Sequence, residues 1–191
     1  MKVESRDNDS LLVNRIRQGD TLAFRTIVEI YKDVSLSLAC SILKEEEAED
    51  AFQDAFLKVF KNINKFRFDS QFSTWLYRIV VNTCLNVKEK QKDHLHTEIS
   101  KATLKEAEQK GGLETALENE RKDYITKALN QMKSEEALLL RLYYLCDLSI
   151  GDIKNVTDLN ESNIKVLLHR GRKSMFAILV RLTGNDLKSL L

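Results

Sequence analysis

The sequence contains no proline and only six glycines in 191 residues. Proline ends helices and glycine weakens them, so the scarcity of both favours an almost entirely helical protein. Cysteine is also scarce: Cys40, Cys84 and Cys146 lie far apart and lack the CxxC spacing of metal or redox motifs. We therefore expect these side chains to be reduced, buried thiols.

A long apolar run is missing too. No stretch has the length and hydrophobicity of a membrane span, and the first residues lack the pattern of a signal peptide, so we expect a cytoplasmic protein. His94 and His96 form the only histidine pair. Since no cysteine or third histidine lies nearby, we interpret the pair as part of a solvated linker rather than a metal site.

Charge is distributed unevenly along the chain. The net charge is only +1, which is low for a DNA-binding protein. However, residues 44–54 carry six acids against one lysine, whereas residues 161–181 carry five Lys or Arg against one acid. This asymmetry predicts one surface for a basic or mixed protein partner and another for nucleic acid.

The segment 72–92 combines an apolar helical stripe, a polar face and a basic end. The stripe recurs at intervals of three and four residues, at Phe72, Trp75, Leu76, Ile79, Val80, Thr83 and Val87. The polar side carries Tyr77, Arg78, Asn82 and Asn86, followed by Lys88, Lys90 and Lys92. Ser73 or Thr74 is predicted to cap the start. Such a face offers stacking, amide hydrogen bonds and phosphate contacts to a nucleic acid, although an ordinary amphipathic helix with a solvated face shows the same pattern.

The segment 148–173 predicts two short helices joined by a tight turn at 157–160. Asn160 is predicted to cap the second helix, with Asn163 in its first turn. That helix buries Ile164 and Leu168, with Leu167 as a third candidate, and exposes a polar, mostly basic face. The pattern is typical of a helix-turn-helix, whose second helix enters the major groove of DNA. A helical hairpin with a charged surface is the alternative interpretation.

Helical periodicity extends over most of the remaining chain. Further helices are predicted over 11–18, 22–43, 47–62, 121–132, 134–145, 150–156 and 161–180. From 94 to 120 the pattern weakens, and Gly111 and Gly112 interrupt any continuous helix, which predicts a linker. We therefore expect two small helical domains on either side of this linker.

Several short motifs stand in a fixed order along the chain. They are TLAF at 21–24, EDAFQDAF at 49–56, FSTWLYRI at 72–79, ALLLR at 137–141 and IKVLLHRGRK at 164–173. In this order and with these separations, the motifs resemble the extracytoplasmic-function sigma factors of bacterial RNA polymerase. A lone helix-turn-helix is a weak signal, whereas the ordered set covers nearly the whole chain and is specific.

The resemblance implies an all-α protein with a sigma region 2-like domain over residues 1–93, a linker over 94–120 and a region 4-like helix-turn-helix domain over 121–191. It implies an alternative sigma factor and not an enzyme. The protein would bind core RNA polymerase, recognise the −10 and −35 promoter elements and promote DNA opening. An anti-sigma factor, anchored in the membrane, is a further implied partner. No cofactor, metal or small-molecule substrate is expected.

The resemblance also implies roles for individual residues. Core polymerase would contact Asp50, Gln53, Asp54 and Leu57, for which a solvated helix face beside Lys58 is the alternative. The −10 element would contact Phe68, Asp69, Ser70, Gln71, Tyr77, Arg78, Asn82, Asn86 and Lys88. The −35 element would contact Ser162, Asn163, Lys165, Val166, His169 and Arg170, with Arg172 and Lys173 on phosphates. Trp75 is expected in the core rather than as a wedge that melts DNA.

The sequence departs from the family pattern in four places. The proline that usually opens the second domain is replaced near Met132 and Lys133. In the helix-turn-helix, Lys154 replaces a small residue, Asp158 replaces the glycine of the turn, and Leu167 replaces a basic residue. Asp tolerates a left-handed turn, so these changes affect the expected −35 affinity more than the fold. Two other classes remain open: a conventional helix-turn-helix regulator that needs no core polymerase, and a sigma-like interaction protein that does not bind promoters.

Overall fold

The computed structural model describes residues 2–95 and 116–183. Within these ranges the chain forms eight α-helices and no strand, which confirms the predicted all-α fold. The helices are α1 (Lys2–Arg17), α2 (Thr21–Ile42), α3 (Glu45–Asn62), α4 (Phe72–Leu95), α5 (Ala116–Gln131), α6 (Ser134–Leu140), α7 (Ile150–Thr157) and α8 (Glu161–Thr183). A short 3₁₀ turn (Ile63–Lys65) follows α3, and a π-helical turn (Arg141–Leu145) follows α6.

Helices α1 to α4 form the N-terminal unit, in which α2 packs on α1, α3 and α4, and α3 lies against α4. The apolar stripe predicted in 72–92 lines its core, since Leu76 and Val80 are fully buried. Trp75 is half-buried, and its ring centroid lies 5.3 Å from that of Phe66 and 5.8 Å from that of Phe72. The expected core position of Trp75 is therefore confirmed.

Helix starts in this unit follow different local rules. Asp20 caps α2, because its Oδ1 accepts hydrogen bonds from the backbone N–H groups of Leu22 at 2.9 Å and Ala23 at 3.1 Å. In contrast, the predicted cap of α4 by Ser73 or Thr74 is wrong. Helix α4 already begins at Phe72, so both residues lie within its first turn.

Helices α5 to α8 form the C-terminal unit. Its largest fully buried side chains come from each of the last three helices and from the π-helical turn: Leu139, Leu142, Ile153, Val156 and Ile164. Helix α8 crosses α6 closely at Gly171. A Cβ atom at this position would lie 3.2 Å from Leu140 Cγ, so the close approach of the two helices favours glycine.

The two units contact each other directly. Helix α7 packs on α4, and α6 with the π-helical turn packs on α2. Arg141 Nε donates a hydrogen bond to Ser37 Oγ at 2.9 Å, and Arg78 Nη2 lies 3.9 Å from Asp158 Oδ1. The buried apolar residues of both units consequently form one continuous cluster.

Several element bounds differ from the prediction. Helix α1 begins at Lys2 rather than at residue 11, because a helix extends through polar residues once it has formed. The predicted helix 134–145 changes to a π-helical turn at Arg141. Helix α4 continues to Leu95 and α5 already begins at Ala116, so helices cover both ends of the predicted linker. The centre of that linker, with His96, Gly111 and Gly112, lies outside the described residues, and the domain boundaries stay predictions.

The three cysteines are free, but they are not all buried. Cys84 is buried and Cys146 is half-buried, whereas Cys40 is exposed, so the expectation for Cys40 is wrong. On α2 the neighbouring Ala39 faces the core, and one residue further along a helix turns the side chain by about 100° away from it.

Candidate nucleic-acid interface

The turn between α7 and α8 has the geometry of a helix-turn-helix. Asp158 adopts a left-handed conformation with φ 58°, and its backbone N–H donates to the carbonyl oxygen of Lys154 at 2.9 Å. The glycine of the family pattern is therefore replaced without loss of the turn. Asn160 Oδ1 accepts a hydrogen bond from the backbone N–H of Asn163 at 2.8 Å, which confirms the predicted cap of α8.

Helix α8 presents its predicted −35 residues on its open side. Ile164, Leu168 and Gly171 are buried against the unit. The predicted contact residues are all exposed: Ser162, Asn163, Lys165, Val166, His169, Arg170, Arg172 and Lys173. The helix therefore offers amide and hydroxyl groups near its start and cations further along, a distribution suited to base edges and phosphates.

Leu167 lies at the border between the buried and open sides of α8. It is half-buried and packs against the core cluster. A leucine at this border contributes apolar contacts to the unit, which a basic side chain would not supply. Arg172 also has a neighbour within the unit, since its Nη1 lies 3.5 Å from the hydroxyl of Tyr144.

The predicted −10 face of α4 is open only in part. Arg78 and Asn86 are exposed, and Asn82 and Lys88 are half-buried. Tyr77 was expected on the open polar side, and that expectation is wrong, because Tyr77 is only 4% exposed. Its ring packs against Tyr31, with 6.0 Å between the centroids, and its hydroxyl donates a hydrogen bond to the sulfur of Cys146 in the C-terminal unit. Burial raises the pKa of both the Tyr77 hydroxyl and the Cys146 thiol, the latter to about 12.

The loop before α4 is more open. Phe68, Asp69 and Ser70 are exposed and Gln71 is half-buried. The backbone of Phe68 has φ 61°, a conformation that residues other than glycine rarely adopt. Its neighbour Phe66 is buried and stacks on the aromatic cluster around Trp75, so the loop is fixed at Phe66 and presents Phe68 outward.

The predicted polymerase face lies on α3. Its members are all exposed: Asp50, Gln53, Asp54 and Leu57. Leu57 is 54% exposed and the nearby Phe60 is 42% exposed, so acidic and apolar groups occur together on this helix. That combination is suited to a protein partner with apolar and basic groups.

A groove of about 290 Å³ joins the predicted polymerase face to the predicted −10 face. It is lined by residues of α3 and α4: Asp54, Lys58, Thr83, Asn86, Val87, Glu89 and Lys90. Lys58 Nζ donates to Thr83 Oγ1 at 3.2 Å across the groove. The neighbourhood of Asp54 and Asn86 was not predicted, since the two residues are far apart in the sequence and only the packing of α3 on α4 brings them together.

The part of the chain that the structure describes contains no group of three or more His, Cys, Asp or Glu placed to hold a metal ion. None of the described helices is long and apolar enough to cross a membrane.

Comparison with known proteins agrees with this architecture. Residues 27–93 match the family described as Sigma-70 region 2, and residues 122–175 match Sigma-70, region 4. The first range lies in the N-terminal unit and the second in the C-terminal unit. Sigma-70 regions 2 and 4 thus occur in one chain, one in each unit.

Individual relatives show which group of sigma factors the chain resembles. The ECF RNA polymerase sigma factor SigW of Bacillus subtilis (strain 168) is 28% identical over 172 residues, which cover 85% of this chain and 92% of SigW. The ECF RNA polymerase sigma-E factor of Escherichia coli (strain K12) is 27% identical over 175 residues, covering 87% and 92% of the two chains. The chain belongs to the extracytoplasmic-function sigma factors of the sigma-70 family, as its motifs predicted. It is an alternative sigma factor that recognises promoter elements.

A solved structure shows the same fold. The sigma factor RpoE from Bartonella quintana, in complex with the anti-sigma factor NepR, superimposes with a TM-score of 0.62 at 22% sequence identity. The match covers 82% of this chain and 96% of RpoE.

Proposed function

We propose that this sigma factor binds core RNA polymerase through α3, reads the −35 element with α8, and opens the −10 element with α4 and the preceding loop. The observation that supports this most is the exposure of every predicted −35 residue on one capped helix of a helix-turn-helix. The domains would be residues 1–93 and 121–191, joined by a linker over 94–120. The protein would act in the cytoplasm, where polymerase and promoter DNA are found.

Recognition of the −35 element would use the start of α8 for bases and its later turns for phosphates. The amide of Asn163 offers a donor and an acceptor that suit an adenine edge, and Arg170 offers paired donors that suit a guanine edge in the major groove. Arg172 and Lys173 are exposed cations that suit phosphate contact. Phosphate contacts release counterions, so affinity for the −35 element should fall steeply with salt.

Opening of the −10 element would use the exposed loop and the polar side of α4. Unstacking a base costs a few kcal/mol, which stacking on an aromatic side chain and hydrogen bonds to the base edge can offset. Phe68 supplies an exposed ring, and Asn82 and Asn86 supply amides that both donate and accept.

Core polymerase would bind the open face of α3. Asp50 and Asp54 supply charge for a basic partner surface, while Leu57 supplies apolar area that binding would cover. Surface charges of this kind mainly steer association and fix orientation. The groove between α3 and α4 would then place the polymerase contact next to the −10 contact.

An anti-sigma factor is proposed as a further partner. RpoE of Bartonella quintana has been solved with the anti-sigma factor NepR. A membrane-anchored protein whose cytoplasmic segment holds the two units together would keep this chain from polymerase.

The contact between the two units bears on this function. Helix α7 packs on α4, Tyr77 is buried against Cys146 of the C-terminal unit, and Arg78 faces Asp158 of the same unit. Tyr77 cannot stack on a base while it is buried here. We therefore expect the units to separate when the sigma factor joins polymerase, which would expose Tyr77 and free Arg78 for the −10 element.

The test combines three measurements on the full chain. Binding to core polymerase separates a sigma factor from a conventional helix-turn-helix regulator. Transcription in vitro from promoters found by sequencing holoenzyme-bound DNA separates it from a sigma-like protein that does not bind promoters. We expect tight core binding and initiation at sites that share −10 and −35 sequences. Core binding without any promoter-specific transcription would overturn the proposed function.

A further inference from the structure

Arg17 connects the end of α1 to the loop before α4. Its Nε and Nη2 donate to the carbonyl oxygen of Ile63 at 3.3 and 3.1 Å, and Nη2 also donates to the carbonyl oxygen of Phe66. These acceptors lie 46 and 49 residues away in the sequence. A guanidinium group is planar and carries its donors in a rigid fork, so it can hold two backbone carbonyls in a fixed relation where a lysine cannot.

The same guanidinium also touches the loop's exposed aromatic ring. Arg17 Cζ lies 5.0 Å from the centroid of the Phe68 ring, within the range of a cation–π contact. The Phe66 ring also contacts Phe68, with 4.8 Å between the centroids. Phe68 is thus held by two contacts while 41% of it stays exposed.

The backbone at Phe68 needs such support. A φ of 61° is disfavoured for a phenylalanine, and residues in that region persist only where the surroundings hold them. The carbonyl of Phe66, which Arg17 binds, precedes the residue by only two positions. Arg17 therefore restrains both the backbone that leads to Phe68 and the ring itself.

We infer that Arg17 is a positioning residue for −10 opening, which holds Phe68 as a preformed stacking platform for an unstacked base. The inference rests on the proposed function of the loop. A ring already held in place loses little conformational freedom when a base stacks on it, so affinity for the melted strand is higher than for a free loop. Arg17 itself needs no contact with DNA in this role.

The experiment uses holoenzyme formed with the full chain and a single-stranded oligonucleotide that carries the non-template −10 sequence. The variants are Arg17→Gln, Arg17→Lys, Phe68→Ala, Phe68→Tyr and the double change of Arg17→Gln with Phe68→Ala. Arg15→Ala is the matched control, because Arg15 is in the same turn of α1 but pairs with Asp20 and not with the loop. Core affinity and melting temperature are measured for each variant.

We expect Arg17→Gln and Phe68→Ala each to lower affinity for the −10 strand about tenfold, the range found for loss of one stacked base. Arg17→Lys should lower it nearly as much, since charge remains but the fork is lost. Arg15→Ala should keep the unmodified affinity, and Phe68→Tyr, which retains an aromatic ring, should lose less affinity than Phe68→Ala. Because Arg17 acts through Phe68, the double variant should bind no more weakly than Phe68→Ala alone. Core affinity should stay unchanged throughout.

Other results would overturn the inference. A lower melting temperature for Arg17→Gln with unchanged −10 affinity would show that Arg17 only stabilises the fold. Additive losses in the double variant would show that Arg17 contacts DNA by itself. If Phe68→Ala and Asn82→Ala both left −10 binding of the holoenzyme unchanged, the proposed −10 site would be wrong, and the inference would fail with it. Loss for Phe68→Ala without loss for Arg17→Gln would reject only the role of Arg17.

Discussion

Arg141 of the C-terminal unit donates a hydrogen bond from Nε to the Ser37 hydroxyl of the N-terminal unit, at 2.9 Å. Arg141 is 4% exposed, and its Nη1 has no hydrogen-bond partner within the described ranges. Burial lowers the pKa of the Arg141 guanidinium. Desolvation of this cation costs free energy, and no carboxylate among the described residues offsets that cost. The contact between the two units is therefore less stable than its buried apolar area alone would make it.

Replacing Arg141 by Met should therefore strengthen the contact between the units. Exchange of a buried charge for an apolar side chain of similar volume is often stabilising, by about 1–4 kcal/mol. We expect a smaller radius of gyration in solution scattering and slower formation of promoter complexes. Ser37→Ala should instead weaken the contact between the units, because it removes a hydrogen-bond partner of the buried cation. A more extended Arg141→Met variant would contradict this account.

The turn at Asp158 should respond to backbone conformation rather than to charge. Asp158→Val should lower the free energy of unfolding by about 1–2 kcal/mol, because a β-branched side chain is strained at φ 58°. Asp158→Gly and Asp158→Asn should leave the free energy of unfolding unchanged or raise it, since glycine and asparagine both tolerate the left-handed conformation. The ion pair with Arg78 should contribute less than about 1 kcal/mol, as both side chains are largely exposed. Thermal and urea melts measure these differences, and equal losses for Val and Asn would point to charge instead.

Charge reversal on α3 tests the polymerase face. Asp54→Lys should weaken core binding about tenfold, which corresponds to ~1.4 kcal/mol, while the melting temperature stays within error. Asp54 is exposed, so the fold does not depend on it. Asp123→Lys, an equally exposed reversal on α5, is the control and should bind core normally. Unchanged core affinity for Asp54→Lys would remove this residue from the interface.

Asn82→Ala tests DNA opening separately from polymerase binding. The amide of Asn82 can both donate to and accept from an unpaired base, and alanine can do neither. We expect reduced permanganate reactivity of the melted −10 bases with little change in core affinity. Native reactivity would show that Asn82 has no role in opening.

Two changes on α8 distinguish its open side from its border. Arg170→Ala should weaken −35 binding by about 1–3 kcal/mol if the contact is to a base, or flatten the salt dependence by about one unit if it is to a phosphate. Leu167→Arg should instead lower the stability of the C-terminal unit, because Leu167 packs against the core cluster. Titration of −35 DNA at several salt concentrations, beside a thermal melt, measures both. Tighter binding by Leu167→Arg without loss of stability would place this residue on the DNA side.

Much of the architecture was predictable because the signals are local. The stripe in α4, the cap at Asn160 and the buried side of α8 each depend on residues within a few positions of one another. The family motifs further predicted that a region 2-like unit precedes a region 4-like unit in the chain. Element ends were less predictable: α1 begins at Lys2 although its first residues show no apolar periodicity.

The functional surfaces were predictable to a lesser degree. All predicted residues of α3 and the α8 face are exposed, since each helix has one clear polar side. Tyr77 was misplaced because its polar hydroxyl suggested an open position, whereas a tyrosine can bury its ring when the hydroxyl finds a partner, here Cys146. The contacts of Arg17 were not predicted because its acceptors are backbone carbonyls. Every residue has such a carbonyl, so the sequence does not indicate which ones accept a hydrogen bond.

The sequence by itself determined the helices, their buried stripes, the capped recognition helix and membership of the sigma factors, because periodicity and caps act over one or two turns. Only the tertiary structure decided which polar residues stay open. Contacts between Arg17 and Phe66, Tyr77 and Cys146, or Arg141 and Ser37 join residues far apart in the chain. Their existence depends on how whole helices pack, and helix packing is set by the sum of many apolar contacts rather than by any short motif.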